Sequence, residues 1–88
     1  MVRYRVLISG RVQGVFFRDT CRRMAREHGV AGWVRNLPDG QVEAVFEGRP
    51  EDVDRLVAWA RRGPSRAVVA DVVVQAEPPE GLSTFLVR

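Results

Sequence analysis

Hydrophobic and polar positions alternate almost from the first residue. Tyr4, Val6 and Ile8 fall between Arg3, Arg5 and Ser9, the period of a half-buried strand. The alternation lapses between Gly10 and Gly14, which predicts a loop. From Phe17 the period lengthens: Phe17, Cys21, Met24 and Ala25 share one helical stripe, with Arg18, Asp19, Arg22, Arg23 and Arg26 mostly off it. Gly29 after His28 is a natural helix stop. Val30 to Asn36 reads as a second strand, and Leu37-Pro38-Asp39-Gly40 as a turn, because Pro presets φ and Gly tolerates positive φ. Gln41 to Glu47 alternates again, with Val42, Ala44 and Phe46 on one face, so the two strands should form a hairpin. Pro50 with Glu51 and Asp52 opens a second helix, whose predicted buried stripe is Val53, Leu56, Val57 and Ala60. Gly63-Pro64 ends it. A Val-rich strand over Ala67 to Ala76, a polar loop over Glu77 to Leu82 and a short strand at Thr84 to Val87 complete the chain.

The order β-α-β-β-α-β plus a short C-terminal strand predicts an α+β fold of the ferredoxin-like split βαβ type. It implies an antiparallel sheet with two helices on one face, built as one domain over residues 1–88. Many unrelated activities use that fold, so it does not identify one.

Composition narrows the field. With 45% hydrophobic residues the chain can build a core, and 88 residues suit one domain. A single cysteine, Cys21, excludes an internal disulfide and a cysteine-rich metal site. No apolar run reaches the length of a membrane span, and the N-terminus enters a strand pattern rather than a signal peptide. A reduced, cytoplasmic setting is expected. The net charge of +3 is unevenly placed: residues 1–40 hold eight Arg against three acids, residues 41–88 six Arg against eight. A basic half suits an anionic partner, but it is also an ordinary solvated surface.

Two segments can carry chemistry. The first is Gly10-Arg11-Val12-Gln13-Gly14-Val15-Phe16-Phe17-Arg18, between a strand and a helix. Its glycines open unusual backbone conformations, successive amides can face an anion, and the helix N-terminus adds its dipole. Arg18, in the first helical turn, offers a planar fork for two phosphate oxygens. It is neither a Walker loop nor a dinucleotide fingerprint, and on the residues alone an ordinary tight connection with a surface Arg is the favoured reading. The second is Gly32-Trp33-Val34-Arg35-Asn36, with the chain's only Asn. A carboxamide can accept from water and donate to a phosphate oxygen; on the residues alone, service to the adjacent Leu37–Gly40 turn is the favoured reading of Asn36. His28 is expected as a solvated or capping residue, Cys21, Trp33 and Trp59 as packing, and Arg22, Arg23 and Arg26 as a solvated helix face. No His, Cys, Asp or Glu group has metal-ligand spacing.

The first segment, with its Val-Gln-Gly-Val run, two aromatics and Arg, resembles the first signature of the acylphosphatase family. The second, followed by Gly40, Val42 and Gly48, resembles the other signature, at the family's spacing. The resemblance implies hydrolysis of a carboxyl-phosphate bond without metal or cofactor. Arg18 and the amides of Gln13, Gly14, Val15, Phe16, Phe17 and Arg18 would hold the phosphoryl group, and Asn36 would orient the water. Leu37 stands where some relatives carry a hydroxyl residue, and the ending Phe85-Leu86-Val87-Arg88 lacks a terminal aromatic. The implied partners are a small acyl phosphate and inorganic phosphate, as product and inhibitor, with no nucleic acid and no membrane, for a monomer. A ferredoxin-like RNA-binding or regulatory module is the alternative from another class, although the aromatics of the RNA-binding version are missing. The acylphosphatase-like module of larger maturation proteins is another, and the length of the chain weighs against it.

Overall fold

The computed structural model describes all residues, Met1 to Arg88. Seven elements follow one another: β1 (Val2–Arg11), α1 (Phe17–Glu27), β2 (Ala31–Asn36), β3 (Val42–Gly48), α2 (Pro50–Ala60), β4 (Val68–Glu77) and β5 (Phe85–Val87). The sheet order is β4-β1-β3-β2-β5. The first four strands pair antiparallel, as the split βαβ pattern predicts, whereas β5 joins β2 in parallel and makes the sheet mixed.

The core lies between the sheet and the helices. Val6, Ile8, Val42, Ala44 and Phe46 point from the strands to meet Phe17, Cys21 and Ala25 of α1 and Val53 and Leu56 of α2, all essentially inaccessible. Burying a side chain of Leu or Phe size contributes about 1.5–3 kcal/mol. In α2 the fourth buried position is not the predicted Val57, which is half-buried, but Trp59. The Trp59 indole packs on Phe17 at 5.1 Å between ring centres and so ties α2 to the first turn of α1.

α1 ends as Gly29 predicts. With φ at 67°, that glycine lets its own N–H donate to Arg26 and the Val30 N–H donate to Ala25 at 2.8 Å, closing the last turn. Gly10 answers a different demand. The β1–β4 register shifts there, and a Cβ would lie 2.2 Å from the Val68 carbonyl oxygen, so only glycine lets β4 approach the end of β1.

The other sheet face holds a feature absent from the hydrophobic pattern. Glu43 and Glu47 alternate with Val45 on β3, opposite the helices, yet both are buried. Arg35 and Arg5 donate to the Glu43 carboxylate at 2.6 and 2.7 Å. Glu47 accepts the backbone N–H groups of Glu80, Gly81 and Leu82, at 2.6 Å for Gly81, and an ion pair from Arg3. The loop after β4 is thereby strapped across the sheet.

Burial pushes both carboxyl groups up, but the arginines at Glu43 and the three amides with Arg3 at Glu47 outweigh it and hold both below the ordinary range. A folded pKa below the unfolded one stabilises the fold above the unfolded value, about 4.3 for Glu, and that contribution disappears as pH falls through the lowered value. The melting temperature should therefore hold from neutral pH to about pH 5 and fall below about pH 4. A Glu43→Gln, Glu47→Gln double variant should melt lower at neutral pH and show a flatter acid limb. An unchanged acid limb would place the acid sensitivity in other groups.

Candidate active site

The chain between β1 and α1 turns on two residues with positive φ, Gly14 at 73° and Phe16 at 62°. For glycine this is free, but for phenylalanine it is an uncommon and strained conformation. Phe16 is also the N-cap of α1. Its left-handed backbone replaces the usual extended cap, and no side chain caps the helix. Helix geometry leaves the first amides of α1 without internal acceptors, and the loop supplies none. From Gln13 to Asp19 no backbone N–H donates to any carbonyl or side chain of the protein. Left-handed and right-handed residues in succession, Phe16 then Phe17, turn such amides into an anion-binding concavity, and the positive end of the α1 dipole reinforces it.

Gly14, Phe16, Phe17, Arg18 and Asn36 all line one cavity of about 380 Å³, which Val12, Asp19, Arg22 and Val87 complete. Arg18 is half-buried there and has neither a carboxylate partner nor a hydrogen bond within the protein. Four other arginines of the first half are engaged, Arg3, Arg5 and Arg35 by glutamates and Arg22 by Asp19 at 2.8 Å, whereas Arg11 and Arg23, also without an ion pair, lie outside this cavity.

Asn36 ends β2 and enters the cavity from the far side of β3. The adjacent turn makes no use of it. Leu37 N–H donates to the Gln41 carbonyl at 2.8 Å, Gly40 N–H to the Leu37 carbonyl, and Asp39 accepts from Gln41. The Asn36 Oδ1 is buried and has no hydrogen-bond partner. A buried amide oxygen without a donor costs about 1–3 kcal/mol, a cost commonly tolerated where a ligand or water supplies the bond.

Two predicted residues act elsewhere with their side chains. Val15 packs into the core. Gln13 reaches across to the hairpin, where its amide Nε2 donates to the carbonyls of Leu37 at 2.8 Å and Gln41 at 2.9 Å. It ties the loop bearing Arg18 to the strand end bearing Asn36. Nothing in the sequence signals this bond, because its acceptors are backbone atoms of a distant turn. Val87 and Asp19 were likewise missed, since proximity to the cavity follows from the parallel docking of β5 and from the first turn of α1.

His28 caps the C-terminus of α1 through its backbone N–H, and Cys21 is buried, with its thiol pushed well up by desolvation. Neither lines the cavity. Arg88 stacks on Trp33, 4.6 Å from the ring centre, rather than meeting Arg18. No helix is long and apolar enough to cross a membrane.

The family model described as Acylphosphatase matches residues 4–87. A protein of Gloeobacter violaceus named acylphosphatase is 58% identical over 84 residues, 96% of this chain and 90% of that one. The crystal structure of the acylphosphatase from Bacillus subtilis superposes with a TM-score of 0.96 at 35% identity, over 100% of this chain and 99% of that one. The acylphosphatase structure from Coxiella burnetii gives 0.95 at 40% identity, over 99% and 92%. Sequence, fold and relatives agree over the whole length: the chain belongs to the acylphosphatase family and is a hydrolase of acyl phosphates.

Proposed function

We propose that Arg18 and the amides of residues 13–18 hold the phosphoryl group of the substrate, and that Asn36 positions the water that attacks phosphorus. The observation carrying this reading is one juxtaposition. An arginine without a partner and a run of amides without acceptors line the same cavity as Asn36, whose buried carboxamide oxygen has no donor in the protein.

The chemistry asks for little more. Water attacks phosphorus in line with the bridging oxygen, and the P–O bond to the acyl group breaks. Its electron pair leaves with the carboxylate, and the proton of the attacking water passes to a phosphoryl oxygen. Products are the carboxylate and inorganic phosphate. A carboxylate is a good leaving group, so positioning and charge stabilisation suffice and no protein base is needed. The bidentate fork of Arg18 matches two phosphoryl oxygens, and the amides match the charge on them. The Asn36 carboxamide, at the same cavity, is the group assigned to hold the attacking water. Gln13 holds the two halves of the site in register through its bonds to the hairpin.

Hydrolysis in heavy-oxygen water tests the direction of attack. The label is expected in inorganic phosphate, read by mass spectrometry. Label in the carboxylate would mean attack at the carbonyl carbon and would overturn the assigned roles.

A further inference from the structure

Beyond the phosphoryl end of the substrate, the cavity has a second wall. Phe16 stands at its rim with 70% of its surface exposed, the largest exposed aromatic of the chain, and Val87 of β5 is 38% exposed in the same cavity. Phe16 is disfavoured twice over. Its backbone is the only non-glycine position with positive φ, and most of its surface is left in solvent, where burial does little to offset this. A strained, solvent-facing phenylalanine beside a binding loop is better suited to contact with a ligand than to stability. The phosphoryl loop uses only its backbone N–H, so the ring is left for another part of the substrate.

We propose that Phe16 and Val87 form an acyl-binding wall that selects acyl phosphates with apolar, above all aromatic, acyl groups. This rests on the phosphoryl assignment made above. The charges at the rim favour the same choice. Arg22, the cation nearest Arg18 along the helix, is engaged by Asp19 at 2.8 Å, so the pair offers an incoming anion little net attraction. What remains uncommitted beside the loop is apolar. A cavity of about 380 Å³ accepts a phosphoryl group with one small ring or branched chain, at the lower end of ligand-pocket sizes.

The test is selectivity between benzoyl phosphate and acetyl phosphate, measured as the ratio of their kcat/KM values. Phe16→Asn is the first variant, because asparagine tolerates the left-handed backbone while removing the ring. Its benzoyl-to-acetyl ratio should fall about five- to tenfold, the size of one aromatic contact. Val87→Ser lies outside the loop and should lower the same ratio about two- to threefold through lost apolar contact. Competition by inorganic phosphate is measured alongside, because it reads the loop alone. Equal losses on both substrates, or an unchanged ratio in both variants, would overturn the acyl wall. Absence of phosphate competition in the parent enzyme would instead overturn the loop assignment beneath it.

Discussion

Replacement of Arg18 by alanine is expected to lower kcat/KM for benzoyl phosphate roughly a thousandfold, with KM raised and kcat lowered together. In the proposed role the guanidinium grips the phosphoryl group in the ground state and more tightly as charge redistributes in the transition state, so both parameters should move. Because Arg18 makes no ion pair or hydrogen bond within the protein, its removal leaves no orphaned partner, and the variant should melt close to the parent. Lysine should restore only part of the loss, since a point charge does not reproduce a two-pronged contact. Steady-state kinetics, calorimetric titration with inorganic phosphate and circular dichroism on the same preparations check all three parts. A folded Arg18→Ala enzyme that binds phosphate as well as the parent would remove the loop assignment.

Asn36→Ala should fail in another way. Its side chain is assigned to water rather than to the phosphoryl group, so phosphate affinity should stay within about twofold while kcat falls roughly a hundredfold, the usual cost of one preorganised polar group. The buried Oδ1 has no partner to lose, and truncation removes an unsatisfied group, so stability should hold or rise slightly. Asn36→Asp is informative beside it: a carboxylate still accepts from water but repels the phosphoryl oxygens, so phosphate binding should weaken there and not in the alanine variant. A folded Asn36→Ala enzyme with parental kcat would refute the water-positioning role.

Most of the fold was legible because the helix-facing side of the central strands is apolar, and a period of two survives in the sequence at Tyr4, Val6 and Ile8 and again at Val42, Ala44 and Phe46. Loop and helix boundaries followed from Gly10, Gly29 and Pro50 for steric reasons that are local. The features that were not legible are those whose partners lie far along the chain. Glu43 and Glu47 read as solvent-facing positions, but Arg3, Arg5, Arg35 and the amides of residues 80–82 bury them. Three residues of β5 are too few to show direction, so its parallel pairing, and with it the place of Val87, stayed hidden. Trp59 is buried more deeply than Val57, which packs at the edge of the core, because Phe17 offers its ring a partner. In the candidate site, Arg18 and Asn36 were recognisable by motif, whereas the Gln13 bridge that sets their spacing depends on a turn more than twenty residues away.

Glu47, meanwhile, carries a lesson for the loop before α1. It is an oxyanion embraced by consecutive peptide N–H groups, and it stays ionised despite having almost no contact with water. The same molecule thus contains, on the opposite side of its sheet, an internal reference for what such an arrangement does to an acid. Peptide donors cannot accept a proton's bond in return, so they favour whichever protonation state carries the most charge. Applied to the phosphate-binding role proposed for the amides before α1, this rule predicts a filter for ionisation state: the loop should prefer doubly charged phosphate to the singly charged form, and product release should become slower as the solution turns more alkaline.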